Sequence, residues 1–397
     1  MKKIIFLIWA DAKNYQTLIF MAQFFSKEGK DVNIIHRESL NSTLGPIDFG
    51  RKTVLHSIQK LNNSFIDYCH FIIKYYICLL KLKPEYTFSF NKKAFVCASL
   101  LKFFFPKMKL IYHNFDYETY SKQPSLIEKI FSLLESKFAK LADLLIFPTI
   151  QRGQLFCKAN KVSKNKQLIE FKNSFPKKYN PKISNKIKVI FKKKNFSYKT
   201  KIICRLGSIG PFHRIEELVQ SVRHWNKDII LILAGADING YTQYIQNIIK
   251  NLHLNSRVFI FNDVSNKFWF EILSKSHIGI CFYEEIGISH NNMAGTSQKF
   301  NNYIFGNLPF LVNKNKDFLL FNKKYKFCSM VNSSKPQEIA NKINNLIINK
   351  KKYIFIKKKI RKAFLTDLNF DCQFINMKNY LINLNKKSPS DNFLIRK

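Results

Sequence analysis

Apolar runs of strand length alternate with segments of helical period along most of this chain, and that alternation constrains the fold more than any other feature. Residues 3–9 and 31–36 are such runs, and the segment 15–27 between them repeats apolar side chains at helical spacing. The same order of patterns returns between 202 and 348. Strands that alternate with helices in this way are typical of a parallel sheet covered by helices on both faces. The sequence therefore predicts an α/β protein with doubly wound sheets.

A stretch rich in lysine and asparagine, residues 158–201, interrupts the alternation and indicates a domain junction. A chain of 397 residues is also longer than the roughly 250–300 residues at which a single core stops growing. We therefore predict two Rossmann-like domains that face a central cleft, at 1–175 and 201–350, with a linker at 176–200. Residues 351–397 are basic and helical in pattern, and we expect them to pack back on the first domain.

The charge balance indicates an anionic partner without identifying it. The chain has 66 Lys and Arg against 26 Asp and Glu, a formal charge of +40. Such a charge suits nucleic acid, a membrane surface or phosphate. Lysine, asparagine, isoleucine and phenylalanine all have A/T-rich codons, so a base bias explains the charge about as well as a functional surface does. No helix-turn-helix, zinc-finger or RNA-binding pattern accompanies it, so we expect no nucleic-acid partner.

Cysteine usage and hydropathy predict a cytoplasmic protein. The eight cysteines are scattered, none forms a CxxC pair, and most lie within apolar runs. This favours buried, reduced thiols and no metal site. The first apolar run is too short for a signal peptide. The best candidate for a membrane span, 65–82, contains Asp67, His70 and Lys74, which are costly in a bilayer.

The most informative loop follows the apolar run 202–206 and reads GSIGPFHR over 207–214. Its glycines let the backbone approach an anion, the helix that follows offers free N–H groups, and Arg214 adds a guanidinium. An ordinary turn with a solvated arginine remains an alternative. The loop lacks the third glycine of a dinucleotide fingerprint, and no Walker A sequence is present. These absences disfavour NAD enzymes and P-loop NTPases.

Several segments follow one another in a definite order. In the second half these are IICRLGSIGPFHRIEELVQSV, NSRVFIFNDVSNKFWFEILSKSHIGICFY and TSQKFNNYIFGNLPFLV. In the first half they are YHNFDYETY, LLESKFAKLADLLIFPT and FKNSFPK. Over about residues 1–350, this set resembles the nucleotide-sugar-dependent glycosyltransferases of the GT-B fold, especially glycosyltransferase family 4. The last segment of the second half is similar to the family's SPNKLFEYMAAGLPVIV.

The resemblance implies a metal-independent enzyme, with no cofactor besides its nucleotide-sugar donor. Such an enzyme moves a sugar, with retention, to a glycan or lipid-linked acceptor in the synthesis of a bacterial surface polysaccharide, lipopolysaccharide or glycolipid. The catalytic candidates lie at the end of the strand LIYH in the first domain and in the loop after it, and are His113, Asp116 and Glu118. The donor-binding candidates lie in the second domain and are Gly207, Ser208, Gly210, His213, Arg214, Glu285, Ser297, Lys299 and Asn302.

Two features leave the interpretation open. Asn302 stands where the family has a glutamate that binds the donor ribose, and a neutral amide makes a weaker bond. A catalytically weakened homologue that binds a glycan or a protein partner is therefore an alternative. The basic, aromatic helices at 65–83 and 94–109 also suit peripheral contact with the inner face of an anionic cytoplasmic membrane. Core helices with lysine at their edges explain the same pattern.

Overall fold

The structure is a computed structural model. It describes residues 3–38, 47–59, 64–117, 125–163, 166–193, 196–197 and 199–386. The chain divides into two compact units, Met1–Asn173 with Phe370–Lys397, and Ser174–Asn369. The stretch predicted as a linker, 176–200, thus belongs to the second unit. The segment predicted to return to the first domain is divided between the units at residue 370.

The first unit is built on a parallel sheet. Its strands are β1 (Lys3–Ile8), β2 (Asp31–Arg37), β3 (Thr53–Ile58), β4 (Tyr86–Phe90), β5 (Lys109–His113), β6 (Leu144–Phe147) and β7 (Leu168–Glu170). Its helices are α1 (Gln16–Lys27), α2 (Ser64–Leu82), α3 (Asn91–Lys102), α4 (Leu126–Phe138) and α5 (Ile150–Ala159). The strand order is β3-β2-β1-β4-β5-β6-β7. Five of the six residues of β1 are buried, as expected for a strand covered on both faces.

The second unit repeats this design. Its strands are β8 (Lys201–Leu206), β9 (Ile229–Ala234), β10 (Val258–Phe261), β11 (Ile278–Cys281), β12 (Phe310–Asn313) and β13 (Ser329–Val331). Its helices are α6 (Lys186–Lys193), α7 (Ile215–Ser221), α8 (Tyr241–Asn251), α9 (Asn266–Lys275), α10 (Ile288–Asn291), α11 (Gln298–Phe305), α12 (Lys316–Tyr325), α13 (Pro336–Ile348) and α14 (Lys350–Thr366). The parallel strands are ordered β10-β9-β8-β11-β12-β13. The last helix, α15 (Phe370–Lys386), belongs to the first unit.

Both sheets are doubly wound, as the sequence predicts. The strand order reverses between β1 and β4 in the first unit, and between β8 and β11 in the second. Ligands of open parallel sheets bind beyond the carboxyl ends of the strands at such a reversal. Each unit therefore has one preferred place for a site. None of the helices within the described residues is long and apolar enough to cross a membrane.

Candidate functional site

Two glycines allow β8 and β9 to continue side by side beyond the strand ends. The Gly207 N–H donates to the Ala234 carbonyl at 2.8 Å. Gly207 and Gly235 both have positive φ, +119° and +152°. A Cβ on Gly235 would lie 2.1 Å from the Gly207 carbonyl oxygen, a distance that no side chain tolerates. Glycine is therefore required here by the close approach of two backbones.

Two buried cations meet at this glycine loop. Arg205 lies on β8 and is 1% exposed, while Lys299 lies at the start of α11 and is 6% exposed. The Lys299 side chain runs across Gly207, where an added Cβ would lie 3.0 Å from Lys299 Cδ. Arg205 Nη1 donates to the Gly207 carbonyl, and its buried Nη2 has no hydrogen-bond partner in the structure. Lys299 is one of the residues that the sequence predicts to bind the donor, whereas no sequence motif indicated Arg205.

The electrostatics of this pair favour an anion. Burial lowers the pKa of the Lys299 ammonium well below its ordinary value, and the Arg205 charge lowers it further. Burial also lowers the pKa of Arg205. Within the described part of the chain, neither cation forms an ion pair with a carboxylate. Buried charges are normally compensated, so two neighbouring cations without an acid indicate a site that an anion completes.

His213 approaches the same place from the turn before α7. Its ring centroid lies 5.4 Å from that of Tyr283, and Lys299 Nζ lies 4.2 Å above the Tyr283 ring. Burial lowers the pKa of His213, as do the nearby Lys299 and Arg205 charges. Its Nδ1 is buried without a hydrogen-bond partner. His213 is therefore neutral and offers a hydrogen bond rather than a third positive charge.

Arg214 is held by acidic side chains of its own unit. It adopts left-handed backbone angles at the start of α7, with φ +52°. Its Nη1 lies 2.7 Å from Glu217 Oε1, and its Nε lies 3.3 Å from Glu284 Oε1. These two carboxylates offset its charge. Arg214 and the exposed Glu285 both line a polar cavity of about 350 Å³ beyond β11, β12 and β13.

Tyr283 connects this polar cavity to the buried cations. It lines the cavity while its ring lies beneath Lys299, and its hydroxyl is 2.5 Å from Ser297 Oγ. Ser297 in turn caps α11 by accepting from the Phe300 N–H at 3.3 Å. Ser297 thus orients both Tyr283 and the helix that carries Lys299.

The other donor-binding candidates have different environments. Ser208 is exposed in the loop, and Gly210 is buried where an added Cβ would lie 3.2 Å from Ile238. The Asn302 side chain is 2% exposed. Its amide lies within 3.0 Å of both Gln298 Nε2 and Trp269 Nε1. The protein itself therefore occupies the polar atoms of Asn302.

In the first unit, His113 ends β5 inside an aromatic cluster. Its ring centroid lies 5.3 Å from that of Phe90, 4.6 Å from Phe115 and 5.7 Å from Phe171. The side chain is 0% exposed, and neither ring nitrogen has a hydrogen-bond partner in the structure. Burial lowers its pKa to about 3, so the ring is neutral at physiological pH. A catalytic role would require this ring to become accessible.

A second cavity, of about 320 Å³, lies at the reversal point of the first sheet. Asp116 lines this cavity, and its side chain is 81% exposed. Its Oδ1 lies 3.7 Å from Arg152 Nη1. Glu118 lies outside the described residues. Glu135 of α4 also lines the cavity, and burial raises its pKa to about 7. The Tyr112 hydroxyl donates a hydrogen bond to Glu135 Oε1. The sequence reasoning did not single out Glu135, although an acid within the apolar run LLESKF is a usable signal.

Comparison with solved structures identifies the fold. The chain is similar to Anabaena HepE, solved with UDP and with UDP-glucose, at a TM-score of 0.71 and 14% identity over 96% of this chain and 100% of that one. It is similar to sucrose-phosphate synthase from Thermosynechococcus elongatus, at a TM-score of 0.72 and 13% identity over 98% of this chain and 100% of that one. The chain is also similar to a glycosyltransferase from Rickettsia africae, at a TM-score of 0.72 and 12% identity over 98% of this chain and 100% of that one.

These similarities show that the chain has the GT-B fold, as the sequence predicts. No family model and no curated protein matches the sequence. Membership of glycosyltransferase family 4 therefore stays a prediction, as do the roles assigned to the individual site residues. Independence from metal ions also stays a prediction.

Proposed function

We propose that the chain is a glycosyltransferase that uses a nucleotide-sugar donor. The observation that carries this proposal is the buried pair Arg205 and Lys299 beside the glycine loop, without an acidic partner among the described residues. The pair lies at the reversal point of the second sheet, where ligands of this architecture bind. The UDP and UDP-glucose complexes of HepE, a protein of the same fold, support a nucleotide-sugar as the ligand.

The geometry suits the departure of a nucleoside diphosphate. In sugar transfer the bond between the anomeric carbon and the diphosphate oxygen breaks, and negative charge grows on the leaving phosphate. Arg205 and Lys299 are already dehydrated and fixed, so they stabilise that growing charge without reorganisation. Neutral His213 adds a hydrogen bond. Arg214 and Glu285 line the neighbouring polar cavity, where hydroxyls of the donor find both charged and neutral partners.

For the acceptor we propose a glycan or a lipid-linked sugar, and a place in bacterial surface polysaccharide, lipopolysaccharide or glycolipid synthesis. The polar cavity of the first unit supports an acceptor rich in hydroxyls, because Asp116 and Glu135 both line it. Transfer with retention follows from the family resemblance. A retaining enzyme of this type needs no dedicated base, which is compatible with the burial of His113.

We also propose peripheral contact with the inner face of an anionic cytoplasmic membrane. Helix α2 supports this contact, because Ile66, Ile73, Ile77 and Leu80 are 40–54% exposed at helical spacing along its outer face. No acid of α2 offsets this face, since Asp67 is buried and pairs with Arg37.

The donor site is tested by substituting Lys299 with methionine, which keeps the length of the side chain and removes its charge. UDP at about 100 times its Kd should stabilise the wild-type protein by about 2.7 kcal/mol. Lys299→Met loses a charge-assisted bond of about 1.5–3 kcal/mol, which weakens UDP binding roughly 10- to 150-fold. The variant should also be more stable than wild type without UDP, because methionine avoids the cost of burying the Lys299 amine beside Arg205.

The matched control is Lys250→Met, at an exposed position on α8. It should change neither UDP affinity nor stability by much. If no nucleoside diphosphate raises the melting temperature of the wild type, donor binding is rejected. Equal UDP affinity in Lys299→Met and Lys250→Met would reject the assigned role of Lys299.

A binding protein without transferase activity is the second candidate. It is favoured by Asn302, whose neutral amide is already engaged by Gln298 and Trp269. A screen of labelled nucleotide sugars with membrane extracts separates the two candidates. A transferase passes label to an acceptor, whereas a binding protein retains its nucleotide affinity and transfers no label.

A further inference from the structure

Among the helices described in the second unit, α14 carries the largest number of lysines and arginines. Residues 350–366 contain seven lysines and Arg361, and no aspartate or glutamate. The first acid after the helix, Asp367, lies 2.8 Å from Lys324 Nζ and so pairs outside the helix. No acidic residue within α14 therefore offsets the positive charge of this helix.

The inner face of α14 fixes the helix against its unit. Ile356, Ile360, Ala363 and Phe364 are buried. The Phe364 ring lies 5.9 Å from that of Phe305 on α11. Since one face of the helix is buried against its unit, the opposite face is the exposed one.

The outer face combines exposed apolar side chains with exposed cations. Ile354, Phe355 and Leu365 are 53%, 54% and 40% exposed, and Ile348, just before the helix, is 67% exposed. The exposed cations on this side are Lys351, Lys358, Arg361 and Lys362. On a helix with 3.6 residues per turn, these seven outward residues of α14 fall on one side.

A face of this composition matches one kind of partner. Lysine side chains reach anionic headgroups, while isoleucine, leucine and phenylalanine enter the boundary of the hydrocarbon layer. Nucleic acid would satisfy the charges and leave the apolar side chains in water. We propose that the outer face of α14, formed by Lys351, Ile354, Phe355, Lys358, Arg361, Lys362 and Leu365, binds the surface of an anionic lipid bilayer. The proposal does not depend on donor binding, and it assigns membrane contact to a helix other than α2.

Vesicle sedimentation tests the proposal with the full-length protein. Wild type should bind vesicles of equal phosphatidylglycerol and phosphatidylcholine at low salt, and should not bind pure phosphatidylcholine. Each cation near an anionic surface contributes about 1 kcal/mol, or roughly fivefold. The triple variant Lys351→Gln, Lys358→Gln, Lys362→Gln should therefore bind about 100-fold more weakly. Its control removes three exposed lysines elsewhere in the unit, at Lys227, Lys250 and Lys275.

The apolar side chains need a separate variant, because charge alone does not distinguish a bilayer from another polyanion. Ile354→Ser with Phe355→Ser should weaken binding to the anionic vesicles by about tenfold or more. The matched control is Ile183→Ser with Val189→Ser, since those side chains are 53% and 54% exposed in the same unit. All variants should keep the wild-type response of the melting temperature to UDP, which shows that the unit remains folded.

Four results would overturn the proposal. Wild type fails to sediment with the anionic vesicles, or the lysine triple variant binds no more weakly than its control. The serine pair on α14 binds as well as wild type, which would leave only a charge effect. Finally, Ile73→Ser with Ile77→Ser on α2 abolishes binding while both α14 variants retain it. None of these results bears on UDP affinity, so the donor-site proposal stands or falls separately.

Discussion

His113 offers a direct measurement of how strongly the first unit excludes water from its core. Burial lowers the pKa of this ring to about 3, against about 6.5 in the unfolded chain. Between these values the unfolded chain binds a proton that the folded chain does not bind. Above about pH 7 the protonation of His113 therefore does not affect the free energy of unfolding. As the pH falls from 6.5 toward 3, the free energy of unfolding decreases, because the unfolded chain gains the proton.

The perturbation is His113→Phe, which places another aromatic ring among the three aromatic rings that surround His113. At pH 5.0 the linkage costs the wild type about 2 kcal/mol relative to pH 7.5, and the variant avoids this cost. The variant also removes two buried nitrogens without partners, each worth about 1–3 kcal/mol, before any cost of fitting the larger ring. We therefore expect His113→Phe to be the more stable protein at pH 7.5, by a margin that widens by about 2 kcal/mol at pH 5.0.

The assay is urea unfolding at the two pH values, with pulsed hydrogen exchange and mass spectrometry as the method that detects unfolding. Peptides from β5 report on the first unit, and peptides from β9 report on the second unit as an internal reference. His70→Phe, at an exposed position on α2, is the control. An equal stability gap at pH 7.5 and 5.0 would refute the reasoning, because the folded protein would then bind the same proton. Loss of transfer without a gain in stability would instead support the sequence-based catalytic role of His113.

Three further expectations concern the second unit. Bound UDP should raise the lowered pKa of Lys299, so the Lys299 amine should take up a proton on binding, and UDP affinity should weaken as the pH rises. Calorimetry in two buffers of different ionisation enthalpy measures this uptake, and Lys299→Met should abolish it. Gly235→Ala should cost more than about 3 kcal/mol in urea unfolding because its Cβ meets the Gly207 carbonyl, whereas Gly240→Ala, with open space around it, should cost about 1 kcal/mol. Arg214→Ala should weaken UDP binding less than Lys299→Met in the same thermal-shift titration, because two carboxylates already offset its charge. An equal loss in both variants would contradict this reasoning and support the donor-binding role that the sequence predicts for Arg214.

The strands that the sequence pattern missed, β3, β7 and β13, all lie at the edge of a sheet, and each lacks a long apolar run. β3 lies at the edge of its sheet and leaves Val54 and Leu55 53% and 39% exposed, so it lacks the continuous apolar run of a buried strand. β7 and β13 have only three residues each, too few to show a period. The buried central strands, such as β9 with all six residues buried, are long apolar runs that the sequence pattern predicts directly.

For the candidate site too, the sequence predicted one part and only the structure revealed the other. Glycine after an apolar run in the sequence predicted the end of β8 and so the carboxyl edge of the second sheet. It did not identify which positive charges are uncompensated. Arg214 is the conspicuous cation of the loop and is offset by Glu217 and Glu284. Arg205 lies within the apolar strand β8 and, like Lys299, is a buried cation that pairs with no carboxylate among the described residues.

The sequence by itself determined the fold class, the two-unit organisation and the edge of the sheet at which we propose that a donor binds. These follow from hydrophobic period and glycine placement, which are local properties of the chain. Only the tertiary structure decided that Lys299 of α11 crosses Gly207 to meet Arg205 of β8. Only the tertiary structure decided that His113 is enclosed by Phe90, Phe115 and Phe171. Burial and charge compensation depend on side chains that are distant in sequence, and the packing of the sheet and helices brings them together.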